Sequence, residues 1–240
     1  MIPIKDTIKD NILNERFPFV TVALITANLV VYVLAIGHGG SLISGPDARE
    51  ALRYGAIPRA FTHAGQGGAI PTWETAFTSM FINASILQIA VNMLFLWIFG
   101  NTLEDAIGPV KFLVFYILAG LATLGLAIVL APHSHRPTIG AAGAIAAVLG
   151  GYAVLYPRAR VLTLVLIILF FTVIEVPTFV MLGLWFALQA LFAAFGLTNP
   201  IGGGAGTAYV AELGSFALGA LTIWLLATRH RQVQPPHPAY

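Results

Sequence analysis

Residues 138–152, TIGAAGAIAAVLGGY, decide how the rest of the chain is read. The stretch is apolar and nearly free of bulky side chains, with Gly140, Gly143, Gly150 and Gly151 spread along it. Leu and Phe fill the other apolar segments, so this one is expected to form a central helix. Small residues let helix backbones approach closely in a membrane, where dispersion and weak hydrogen bonds hold helices together. Tight packing alone accounts for such a composition. By itself the stretch defines a place in the fold and no chemistry.

Working outward, 58% of the 240 residues are hydrophobic and 9% are charged, against about 25% charged in a soluble domain. Too few charges remain to cover a surface facing water, so the chain reads as a polytopic membrane protein. A formal charge of +2, with Lys and Arg scattered between apolar segments, is too small to imply a nucleic-acid partner, and none is expected. The chain has no cysteine, hence no disulfide framework, thiolate nucleophile or cysteine metal site. No cleavage motif follows the first apolar run, which is expected to be retained as a membrane helix.

A span needs about 20 apolar residues to cross ~30 Å of hydrocarbon. Six candidates fall at about 17–36, 76–100, 110–131, 138–156, 177–197 and 205–228. They predict an all-α integral membrane protein: a six-transmembrane-helix bundle with a long first loop and a short central fourth helix. Residues 1–16 are expected to be a cytoplasmic N-terminal segment, and residues 229–240 a disordered cytoplasmic tail. The long polar loop covers 38–72 and shows no apolar period. Residues 101–109 read as a plain turn, and 199–204, with Asn199-Pro200, as a flexible one. Residues 161–197 are too long for one helix and are interrupted by Glu175 and Pro177, so 161–176 read as an interfacial or re-entrant connection. Two separate short spans are the competing reading there.

Six crossings place both termini on one side. That side holds Lys5, Lys9, Arg16, Lys111, Arg158, Arg160, Arg229 and Arg231, against Arg49, Arg53, Arg59 and Arg136 on the other. Eight positive charges against four put the termini in the cytoplasm.

Several strings carry a resemblance: Pro71-Thr72-Trp73, NMLFLWIFG over 92–100, the segment 140–151 followed by Tyr156-Pro157-Arg158, and Ala211-x-Leu213-Gly214-x-Phe216-x-x-Gly219 in the last span. In this order the chain resembles the rhomboid intramembrane serine proteases over residues 17–228. The resemblance implies a rhomboid-like membrane domain with a serine nucleophile in Gly-x-Ser-Gly and a histidine base on the sixth helix. Here the matching string is Gly140-Ala141-Ala142-Gly143, so the dyad-equivalent positions are Ala142 and Glu212. A histidine and an asparagine four residues apart hold the oxyanion in the family; this chain has Gln88 and Asn92, with Asn83 where many members carry a further histidine. Ser215 stands at a usual glycine and Ala146 at a frequent aromatic, while Gly219 keeps the motif.

Nucleophilic catalysis needs an oxygen or sulfur lone pair beside an activating base, and Ala142 offers only a methyl group. Glu212 is therefore expected to hydrogen-bond across the cleft near Gln88 or Asn92, or else to reach the outer aqueous face, since a carboxyl group in mid-span costs ~3 kcal/mol when it faces lipid. Asn28, Asn83 and Asn92 are by default helix–helix hydrogen bonders. Trp73, Trp97 and Trp224 fit interfacial anchors. The six histidines fall in loops or the tail, and His133-x-His135 reads as a solvated pair. No metal and no cofactor are expected. The expected partners are the lipid bilayer and transmembrane segments of other membrane proteins.

Three functions compete: an inactive rhomboid, or pseudoprotease, binding transmembrane segments; an intramembrane serine protease with substituted catalytic residues; and a structural or designed bundle on a rhomboid template. Asn83, Gln88, Ala142 and Glu212 depart together, which argues against a single deliberate knockout. The first is preferred.

Overall fold

The computed structural model describes residues 2–6, 17–63, 70–167, 170–195 and 205–227. The expected tail, the turn at 199–204 and most of the N-terminal segment lie outside the described residues.

Helix α1 (Phe19–Gly37) opens behind Pro18 and runs through apolar residues to His38. The first loop then carries two short helices, α2 (Ala48–Tyr54) and α3 (Pro58–Thr62), which its sequence gave no reason to expect. Asp47 caps α2 by accepting from Arg49 N, and Pro58 sits at the first turn of α3, where a missing N–H costs nothing.

Helix α4 (Thr72–Thr78) stops short, and residues 79–85 are irregular. Ser85 then caps α5 (Ile86–Phe95) by accepting from Gln88 N at 3.2 Å. From there α5 continues through a π-helical turn (Leu96–Gly100) into α6 (Asn101–Ile107), making one apolar helix of 22 residues. Residues 101–109 are thus mainly helix, not the plain turn expected from Gly108 and Pro109. The chain reverses only at Gly108, whose φ of +89° suits glycine.

Helix α7 (Pro109–Leu130) and α8 (Ala142–Leu155) follow, then α9 (Thr178–Ala194) and α10 (Ala205–Leu226). Among the described residues four helices are long and apolar enough to cross a membrane: Phe19–Gly37, Ile86–Ile107, Pro109–Leu130 and Gly206–Leu226. Helices α8 and α9 are shorter and equally apolar. Large apolar side chains point outward along the long helices, among them Val33, Leu34, Leu118, Val129, Leu221 and Leu225. Such an outer face suits lipid and not water.

The expectation of a wholly α-helical chain is corrected at 161–176. Strands β1 (Ile2–Asp6), β2 (Arg160–Ile167) and β3 (Phe170–Pro177) form an antiparallel sheet in that order. Val, Ile, Thr and Phe dominate β2 and β3, residue types that fit a pleated surface better than a helix. Arg160 and Glu175 pair across the two strands at 3.1 Å, so the glutamate that looked like a helix breaker bridges a hairpin. The protein is mostly helical, with this sheet attached.

At the centre, every residue of α8 from Ala142 to Tyr152 is buried. A Cβ on Gly219 would overlap the Ala147 carbonyl, and one on Gly150 the Phe216 carbonyl, so α8 and α10 meet backbone to backbone. Ser215 adds a hydrogen bond to Gly143 O at 2.8 Å. Helix α8 also packs on α7, Gly143 lying against Thr123.

Candidate functional site

The head of α8 is held from two directions. Ala56 in the first loop exchanges both backbone hydrogen bonds with Thr138, at 3.1 and 2.7 Å, and Gly140 N donates to Ser79 O at 2.8 Å. Gly140 adopts φ +109°, a conformation rare for other residues, and this turns the chain into the helix. Ala142 thus stands at the start of a buried helix, facing a small cavity.

That cavity measures about 40 Å³ and is lined in part by Ser79, Thr123, Gly140, Ala142, Ala211 and Glu212. The structure therefore brings positions 142 and 212 to one hollow, across the α8–α10 contact. Its volume admits a few water molecules, far below the ~300–1,000 Å³ of a small-molecule pocket. Its polar groups are poorly suited to attack. Ser79 donates to Ala76 O at 3.3 Å and Thr123 to Ala119 O at 2.8 Å, each within its own local backbone.

Glu212 finds its partner on α9: Gln189 Nε2 donates to Glu212 Oε2 at 3.4 Å. The expectation of a bond to Gln88 or Asn92 is corrected here, and the reason is visible in the packing. Gln88 Oε1 already accepts from Ala84 N at 2.9 Å, closing the irregular turn before α5. Asn92 Nδ2 donates to Asn83 Oδ1 at 3.3 Å, Asn83 Nδ2 to Asn28 Oδ1 at 3.1 Å, and Asn28 Nδ2 to Leu24 O at 2.9 Å. The three asparagines, all fully buried, form a relay that ties α5 and the residue-83 turn to α1. Gln88 also approaches the head of α8, its Nε2 lying 3.5 Å from where a Gly140 Cβ would be.

Sequence reasoning missed Gln189 and Glu104. Gln189 is a lone amide in the apolar run of α9 and almost fully buried; a polar residue inside a span was the signal available. Glu104, buried in the middle of α6, accepts from Val20 N at 3.0 Å, Thr21 N at 2.8 Å and Thr21 Oγ1 at 2.7 Å. It caps α1 from 83 residues away, satisfying amides that a helix start leaves open. Among the described residues no group of three His, Cys, Asp or Glu side chains is placed to hold a metal ion.

This helical bundle, with its glycine-rich buried helix, is matched by the family model described as the rhomboid domain over residues 71–229. The chain belongs to the rhomboid family. Among curated proteins it is similar to the rhomboid protease GluP of Bacillus subtilis, 28% identical over 139 residues, which are 58% of this chain and 24% of that protein. It is also similar to the mitochondrial presenilin-associated rhomboid-like protein of Bos taurus, 30% identical over 39% of this chain and 26% of the relative. The mitochondrial rhomboid protein 1 of Saccharomyces cerevisiae is 29% identical over 62% of this chain and 40% of the relative. The chain thus spans about a quarter to two fifths of the length of these relatives. Family and helix composition together make it an integral membrane protein.

Proposed function

We propose that this protein is a rhomboid pseudoprotease: a membrane protein lacking the Ser–His dyad that binds transmembrane segments of other membrane proteins. The observation that supports this most is the shared cavity of Ala142 and Glu212. The dyad-equivalent positions converge, yet one holds a methyl group and the other a carboxylate engaged by Gln189. A base without a nucleophile cannot form an acyl-enzyme. In this reading α8 and α9 also cross the bilayer, giving six spans, and both termini lie in the cytoplasm. Residues 17–228 are then the membrane domain.

The experiment has two arms. A fluorophosphonate or isocoumarin probe is expected to give no labelling above a heat-denatured control; specific labelling of any residue would overturn the inactive reading. Photo-crosslinkers placed at Leu87 on α5 and Val180 on α9, both outward-facing, are expected to capture single-pass membrane proteins. Capture of lipid alone would leave a structural bundle as the better account.

A further inference from the structure

A second constellation lies where the first loop meets the loop between α7 and α8. The rings of His63 and His133 lie side by side in a tilted pair, with centroids 5.5 Å apart and planes inclined by 57°. Both histidines sit on segments already pinned together: Arg59 N donates to Ser134 O at 3.1 Å, and Thr62 Oγ1 donates to Pro132 O at 2.8 Å. His135 is turned elsewhere, its Nε2 lying 3.0 Å from Arg59 Nη1.

The hydrogen bonds also assign a tautomer. Thr62 Oγ1 lies 2.8 Å from Pro132 O and 3.2 Å from Arg59 O, and with its one hydrogen directed to a carbonyl it accepts from His63 Nδ1 at 2.9 Å. The proton then sits on Nδ1 and the lone pair on Nε2, the form in which an imidazole ligates a metal while a neighbour fixes its orientation. Two imidazoles bound to one ion at ~2.0–2.1 Å hold their ring centroids about 5 Å apart. The observed spacing of 5.5 Å is close to that value.

We propose that His63 and His133 form a two-imidazole site for a borderline divalent transition-metal ion, Zn²⁺, Ni²⁺ or Cu²⁺, clasping the first loop to the loop after α7. Imidazole nitrogen selects these ions over Mg²⁺ and Ca²⁺. Water completes the coordination, since among the described residues no third His, Cys, Asp or Glu side chain joins the pair. The loop carrying His133 continues to Thr138 and Gly140, which line the cavity described above. An ion at the clasp therefore steadies one rim of that cavity, whatever the cavity binds.

The test is calorimetric titration of ZnCl₂ and NiCl₂ into the full chain, purified without a polyhistidine tag. His63→Phe and His133→Phe keep the rings and remove the nitrogens. Each is expected to weaken the tightest site at least ~10-fold, no less than losing an outer-shell partner costs, with His135→Ala within about twofold of the parent. With Cu²⁺, electron paramagnetic resonance is expected to show two coupled imidazole nitrogens in the parent and one in each Phe variant. Binding that is absent, or unchanged in both Phe variants, overturns the site. Loss in His135→Ala with His63→Phe unaffected assigns the metal to a local His-x-His chelate and overturns the clasp.

Discussion

At the scale of single residues, the chain has far fewer polar groups than a soluble protein, and most of the buried ones are used structurally. Glu104 is the clearest case. Its carboxylate receives three hydrogen bonds from the start of α1, and a buried donor left without an acceptor costs about 1–3 kcal/mol. Glu104→Ala is therefore expected to lower stability by about 3 kcal/mol and Glu104→Gln by roughly half as much. Unfolding in mixed detergent micelles, followed by helix circular dichroism, measures both; an Ala variant as stable as the parent would remove the cap from the account. Nothing in the sequence around Glu104 and Asp105 marks which of the two turns inward. The deciding neighbour lies 83 residues away in α1, and only the tertiary fold brings it there.

At the scale of elements, the α8–α10 contact organises the bundle. Lipid offers no hydrophobic drive for helices to associate, so close backbone approach supplies the dispersion that holds them. Gly219→Leu pushes into the Ala147 carbonyl and is expected to cost about 3 kcal/mol, or to prevent folding outright. Gly183→Ala in α9, where an added Cβ meets nothing within 4 Å, is expected to be neutral. The same unfolding assay compares the two, and equal effects would contradict the packing described. This crowding was legible in the small residues of 138–152. The breaks were less so: the irregular turn before Ser85 interrupts an apolar run, and hydropathy does not register the cap that restarts α5. The hairpin of β2 and β3 went unread for a related reason. A short apolar run reads alike as strand or buried helix until its pairing partner is known.

At the scale of the whole molecule, the proposed orientation rests on eight positive charges against four. The chain lacks cysteine, so single cysteines report sidedness without background. Ser44→Cys in the first loop and Ser134→Cys in the loop after α7 are expected to react with a membrane-impermeant maleimide added to intact cells. Modification only after permeabilisation would invert the topology. Both positions lie on the side where His63 and His133 meet, so the same result says which compartment would supply the proposed ion.

The amino-acid sequence alone determined the membrane class and the glycine-lined central helix, because each is a matter of which residue types are present and in what order. Tertiary structure decided who meets whom: Glu212 with Gln189, Asn92 with Asn83 and Asn28, Glu104 with Thr21, His63 with His133. Hydrogen bonds and ring contacts depend on angstrom-scale placement between segments far apart in the chain. Local pattern carries no record of those distances.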